Sequence, residues 1–251
     1  MISVCMATHN GERYIKRQLD SILSQIGPTD EIVISDDGST DRTKDIIYQY
    51  ADKRIKFHQF SQPRNTLKPT LKGMLYASRN FENALKFAHG DIIILSDQDD
   101  IWYPEKVAVL TSLLQSFDIV KHNYSKIDGS DKVLKHMVYD SEKQTNRKIG
   151  HLLKYLPFRG CCMAFKKCVL DAAIPFPKVC LQHDTWIGMI AYLNDFKYFY
   201  TEEPLIYHRI HGENASELSE PNSMGYKVWY RFKLCLQLLK HIMGYSKNKH
   251  Q

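Results

Sequence analysis

No uninterrupted apolar run in the 251 residues approaches the ~20 needed to cross a bilayer, so nothing in the chain reads as a membrane span. The start lacks a basic segment and a small-residue cleavage site, and residues 1–10 read as a first strand, not a leader. The six cysteines, Cys5, Cys161, Cys162, Cys168, Cys180 and Cys235, include no CxxC pair. That excludes a small disulfide framework and leaves reduced core thiols as the expectation. Adding His183 to these cysteines still matches no structural zinc spacing. Internal repeats and low-complexity tracts are missing too. Positive charge is in small excess, 34 Lys and Arg against 28 Asp and Glu, for a net +6. This suits an anionic ligand or an anionic membrane surface but is too weak to argue for nucleic acid. Also missing is a glycine-rich, basic phosphate loop after the first strand, where the chain reads Thr8-His9-Asn10-Gly11-Glu12. A nucleotidyltransferase is thereby disfavoured.

What remains is 43% hydrophobic and 25% charged, enough for one sizeable α/β domain or two small ones. Its centre is the stretch 91–102. The apolar run Ile92-Ile93-Ile94-Leu95 stops abruptly, and Asp97, Asp99 and Asp100 follow within four positions. A short apolar run bounded by polar residues reads as a strand buried on both faces. Acids at the carboxyl end of such a strand lie where open α/β sheets bind ligands. Carboxylates this close repel one another, and hard oxygen donors favour Mg²⁺ or Mn²⁺ over zinc. The plainer alternative is a solvated acidic turn capping a helix near Pro104.

Around this stretch, strand and helix alternate. Residues 2–6, 31–35 and 54–60 read as strands. An amphipathic helix carries Tyr14, Ile15, Leu19, Ile22 and Leu23 and ends at Gly27-Pro28. Asp36-Asp37-Gly38 closes the second strand with acids and a turn. The pattern predicts an α/β fold: a Rossmann-like, mostly parallel central sheet flanked by helices, with a ligand crevice at the strand ends. Residues 62–78 are expected as a loop or short helix over the crevice, and 125–148 as a polar loop. Small residues at 160–165 predict a strand. Asp184 opens an apolar helix, where an acid is also an ordinary cap. Residues 197–200 and 204–207 predict two further strands. His208-Arg209-Ile210-His211 follows, with imidazoles suited to a metal and a guanidinium suited to phosphate. The tail is helical by pattern, and its lysines leave open whether it packs on the core or lies on an anionic membrane.

Four ordered blocks then carry a resemblance: Ala7-Thr8-His9-Asn10-Gly11; Ser35-Asp36-Asp37-Gly38-Ser39-Thr40-Asp41; Ser96-Asp97-Gln98-Asp99-Asp100-Ile101-Trp102; and His183-Asp184-Thr185-Trp186 with Tyr207-His208-Arg209-Ile210-His211-Gly212. Together they resemble a family 2 inverting glycosyltransferase of GT-A fold, most of all the rhamnosyltransferase-like bacterial branch of surface polysaccharide assembly. The resemblance implies a catalytic domain over 1–220, with a nucleotide-sugar half at 1–103 and an acceptor half at 104–220. The remainder, 221–251, is a basic amphipathic helix. It implies that Thr8, Asn10 and Glu12 surround base and ribose, and that Asp37, with Asp36, accepts the N–H of uracil or thymine. Asp99 is the expected direct ligand of Mg²⁺ or Mn²⁺, Asp97 reaches ribose or a metal-bound water, and His211 completes the site with His208 as the alternative. Arg209, Arg79 or Lys72 attend the leaving diphosphate. Asp184 is the expected catalytic base, and Trp186 with the Cys161-Cys162 segment shapes the acceptor pocket. The implied donor is dTDP-rhamnose or a UDP-hexose, and the acceptor a saccharide or lipid-linked sugar. The implied location is the cytoplasm, with peripheral contact at the inner membrane face through the tail. Asp97, Asp99 and Asp184 argue against the alternative, an inactive nucleotide-sugar-binding scaffold. His9 departs from the tyrosine common in the family, and Cys161-Cys162 from its Gly-rich acceptor floor.

Overall fold

The apolar runs sort their side chains by alternation. Ile2, Val4 and Met6 enter one buried cluster with Ile32, Ile34 and Ile94, while Cys5, Val33, Ile93 and Leu95 enter another on the opposite side. Residues of period two that are buried on both faces make strands between two helical layers. The computed structural model describes residues 1–62, 69–138, 148–211 and 224–248, without the side chains of 69–72 and 244–248.

The first half is the expected alternation: β1 (Ile2–Thr8), α1 (Ile15–Leu23), β2 (Glu31–Asp37), α2 (Thr43–Gln49), β3 (Ile55–Phe60), α3 (Pro69–Lys86) and β4 (Ile92–Ser96). These strands run parallel in the order β3-β2-β1-β4. After β5 (Ile101–Trp102) and α4 (Lys106–Ser116) come β6 (Ile119–Ile127), β7 (Val133–Lys135), α5 (Ile149–Tyr155) and a 3₁₀ turn at Gly160–Cys162. Then follow β8 (Met163–Lys166), α6 (Lys167–Ala173), α7 (His183–Leu193), β9 (Tyr198–Arg209) and α8 (Met224–Asn248). The sheet continues past β4 as β8-β6-β9-β5, with β8 antiparallel to both neighbours and β6 parallel to β9. The wholly parallel part is therefore β1–β4, and the sheet beyond β4 is mixed.

Three local expectations change. Residues 125–138 are not all loop: β6 runs to Ile127 and turns at Asp128, whose carboxylate accepts the Ser130 and Lys132 N–H groups, and β7 returns beside it. The rest of that polar stretch, 139–147, lies outside the described residues. The two strands expected at 197–207 are one, β9, which passes through Pro204 because β6 shifts register opposite it. Helix α3 starts at Pro69, so most of the 62–78 stretch expected as a loop or short helix is the first part of a long one. Among the described residues no helix is long and apolar enough to cross a membrane.

Candidate active site

The carboxyl ends of β1, β2 and β4 lie together, Thr8 paired with Asp36 and Met6 with Ser96. Asp36 is buried and accepts from the Thr8 hydroxyl at 3.0 Å, the Ser39 N–H at 2.9 Å and the Ser39 hydroxyl. Both of its oxygens are used in shaping the turn. Asp37 beside it is also buried and accepts from Gln62 Nε2 at 2.9 Å. Asn10 sits at φ 49°, a left-handed conformation that Asn tolerates. Its side chain accepts the Thr40 N–H at 2.9 Å, and its own N–H donates to Ser39 Oγ. Glu12 and Asp41 clasp reciprocally: Glu12 accepts the Arg42 N–H, and the Glu12 N–H donates to Asp41. Thr8, Asn10 and Glu12 thus tie the loop after β1 to the loop after β2, with Asn10 and Glu12 still exposed at its surface.

Sequence reasoning passed over Gln98. Its amide pairs with both backbone groups of His9, at 3.0 Å each, and so joins the acid run to the first loop. A Cβ on Gly11 would come within 2.4 Å of that amide oxygen, so a larger residue there would push the Gln98 amide off His9.

Asp97, Asp99 and Asp100 each place a carboxylate oxygen within 4.8 Å of the others. Asp100 is fully buried and accepts from His208 Nδ1 at 2.9 Å and the Arg209 N–H at 3.1 Å. Burial opposes both charges, yet the pair overrides it: Asp100 lies below the usual carboxylate range and His208 above the usual imidazole range. His211 Nε2 lies 2.8 Å from Asp99 Oδ2. The two histidines therefore separate, His208 to the inner acid and His211 to the outer one. Although part of Asp97 reaches solvent, burial of its carboxyl, then the charges of Asp100 and Asp99, push it up to about 8. Three carboxylates crowded at one buried strand end, where burial and mutual repulsion both oppose their charges, fit a hard divalent cation. Cys161 also adjoins Asp100 and His208, but those two are already engaged with each other.

Arg209 takes a place different from the expected one. It is 1% exposed; its guanidinium donates to the Asp99 carbonyl at 2.8 Å and the Asp128 carbonyl at 2.9 Å, and it pairs with Asp131. It also lies over the Tyr14 ring. It braces the backbone of the acid run against the turn after β6. Arg79 donates to the Lys178 carbonyl at 3.3 Å, toward the loop before α7. The side chain of Lys72 lies outside the described set.

Asp184 stands in the first turn of α7, half-buried, but Gln182 occupies the cap position. Its Oδ2 accepts the Gly160 N–H at 3.1 Å and its Oδ1 the Thr185 N–H at 2.7 Å. Arg159, next to Gly160, faces His208 Nε2 at 3.4 Å and lies over the Tyr124 ring. Two consecutive residues thus touch both the acid cluster and Asp184. Lys106 and Lys121 are buried in the same region, each lowered to about 8 by burial. Lys106 donates to the Cys161 carbonyl at 3.0 Å. Its inward direction was readable, since 106, 110 and 114 share one helix face with buried Leu110 and Leu114. Arg159 gave no comparable signal.

Gly160 leaves no room for a side chain. A Cβ would meet His183 Nε2 at 2.6 Å, and His183 is stacked on Phe81 at 4.0 Å. Gly160→Ala is therefore expected to displace the N–H that holds Asp184. Steady-state kinetics are expected to show kcat lowered by up to about a hundredfold, with the donor KM little changed.

Trp186 is turned to the core. It is 3% exposed, its indole N–H donates to the Ala173 carbonyl at 2.8 Å, and its ring meets His241 edge-on. Two positions along a helix is a rotation of about 200°, so Asp184 and Trp186 face opposite ways. Trp186→Ala is expected to cost about 3–5 kcal/mol of stability in denaturant unfolding; an acceptor residue would instead raise the acceptor KM at unchanged stability.

Comparison with known proteins adds to this geometry. The family model "Glycosyl transferase family 2" matches residues 3–171. A glycosyltransferase of Nostoc sp. is 30% identical over 224 residues, covering 85% of this chain and 66% of that protein. The dTDP-rhamnosyl transferase RfbG of Shigella flexneri is 28% identical over 249 residues, covering 90% of this chain and 81% of the relative. Among solved structures, the 1–349 fragment of S. aureus TarS in complex with UDP-GlcNAc superposes with a TM-score of 0.65. It is 22% identical and covers 86% of this chain and 60% of its own length. The chain thus spans about two thirds of the Nostoc relative and less of the TarS fragment, and it has the GT-A fold.

Proposed function

Because the chain belongs to glycosyl transferase family 2, we propose that it moves a sugar from a pyrimidine nucleoside-diphosphate sugar to a saccharide or lipid-linked acceptor, with inversion at the anomeric carbon. The observation that carries this reading is the acid cluster at the end of β4, joined to Asp184 through His208, Arg159 and Gly160. Asp97 and Asp99, with His211, are the residues that would hold Mg²⁺ or Mn²⁺; the cation, when bound, supplies counter-charge for the departing diphosphate. Asp37, buried at the end of β2, is suited to accept the ring N–H of uracil or thymine, so a UDP-hexose and dTDP-rhamnose both fit. Asp184 takes the proton of the acceptor hydroxyl as it attacks from the face opposite the diphosphate. Its two backbone hydrogen bonds fix the carboxylate, and each oxygen keeps a further lone pair for that proton. One displacement with one base inverts the configuration, unlike hydrolases that use a carboxylate pair. A cytoplasmic location is part of this reading.

The test is nucleotide release. The full chain, Mn²⁺ and an undecaprenyl-diphosphate-linked sugar are incubated with UDP-glucose, UDP-GlcNAc, dTDP-rhamnose and GDP-mannose. The reading expects release of UDP or dTDP that chelator stops. Release from GDP-mannose alone, or from none, would sink it.

A further inference from the structure

We infer that α8 docks this protein onto an anionic lipid bilayer, lying in the interfacial plane with its outward face. The helix holds the core through Tyr230, Leu234 and Leu238, and Arg231 and Gln237 donate to the carbonyls of Leu153, Lys154 and Val179. At about 100° per residue, the opposite side is the stripe Val228, Phe232, Leu236, Leu239 and Met243. Phe232 is 61% exposed, Leu236 38%, Leu239 54% and Met243 60%. Scattered exposed apolar residues are ordinary, but a continuous stripe over four turns marks a surface that something covers.

The charges decide what covers it. Residues 224–248 contain Lys227, Arg231, Lys233, Lys240 and Lys247 and not one Asp or Glu. On the helical wheel Lys233 and Lys240 border one side of the stripe, while Arg231 on the other side is turned to the core carbonyls. An apolar stripe edged by cations suits a helix whose apolar face enters the acyl boundary while lysines reach anionic headgroups. A second copy on the same face would be related by a two-fold, so that basic borders meet basic borders, with no acid on either helix to offset them. The helix does not qualify as a membrane span, so the arrangement is one that lies on the surface.

Docking has a consequence for the site, and this part rests on the glycosyl-transfer reading. Helix α8 packs on α7 through His241 against Trp186, and the first turn of α7 holds Asp184. A bilayer under α8 is therefore one helix away from the residue that takes the acceptor proton, a place suited to a lipid-linked acceptor.

The test is vesicle flotation of the full chain, with phosphatidylcholine alone and with phosphatidylglycerol added, at low and high salt. The expected result is binding that rises with phosphatidylglycerol and falls with salt. Phe232→Glu with Leu236→Glu is expected to weaken it at least about tenfold, and Lys233→Gln with Lys240→Gln about fivefold per charge removed. These side chains are exposed, so melting temperatures are expected to stay unchanged. Wild-type protein that remains in the aqueous fraction, or that floats no better than the Phe232/Leu236 variant, would overturn the inference. So would a concentration-dependent dimer abolished by that variant without vesicle binding. Vesicle binding without nucleotide release from any donor would support the docking and overturn only the glycosyl-transfer reading.

Discussion

Asp184→Asn is expected to bind nucleotide with an affinity within about twofold of the wild type and to transfer sugar roughly a hundred to ten thousand times more slowly. The substitution keeps the shape and lets the amide oxygen still accept one of the two backbone N–H groups, from Gly160 or Thr185. It removes only the ability to take a proton. The donor loops hang from β1 and β2, whereas Asp184 opens α7, so nucleotide binding has no direct contact to lose. The paired measurement is kcat and donor affinity on the same preparation. A variant with unchanged turnover would remove Asp184 as the base; one that loses turnover and nucleotide binding together would make it a structural residue.

Asp99→Ala is expected to remove the metal dependence of nucleotide binding. Altering a group that merely supports a metal ligand costs about 10–100-fold in metal affinity, so a direct ligand should cost at least the upper end of that range. The neighbourhood amplifies the effect. Asp99 also holds His211 at 2.8 Å, and its carbonyl receives Arg209. The Arg209 contact uses backbone and survives the substitution, so the acid run should keep its path while His211 loses its partner. Titration calorimetry with UDP or dTDP, in Mn²⁺ and in chelator, reads this directly. Equal affinities for the wild type in the two conditions would count against any metal at this cluster.

The strand-end acids were legible because burial on both faces of a strand leaves a continuous apolar run, and Ile92–Leu95 is short, clean and followed by three carboxylates. The first four strands and their parallel pairing followed from the same physics. The mixed second half was less legible. Its strands are polar or interrupted: β6 carries Lys121, His122 and Asn123 buried among charged neighbours, and β9 contains a proline. The turn at Asp128-Gly129 was a readable hairpin signal that the polarity of the surrounding segment concealed. Site residues divided in a similar way. His211 could be tied to Asp99 only in three dimensions, because the two lie 112 positions apart. Arg209 looked like a phosphate ligand because a guanidinium after a strand is free in sequence; its partners, the Asp99 and Asp128 carbonyls, belong to backbone that no pattern displays. Trp186 looked like an acceptor residue because it is two positions from Asp184, a spacing that on a helix turns it to the core.

The most direct test of the central claim is a thermal-shift screen of the full chain with UDP, dTDP, GDP and CDP, each in Mn²⁺ and in chelator. A ligand that binds only the folded state raises the melting temperature by mass action. The account predicts a rise with UDP or dTDP that requires the metal, and little with CDP, whose cytosine ring has no N–H to give Asp37, or with GDP, whose base is a larger purine. An equal rise with and without metal, or a rise with GDP alone, would contradict it.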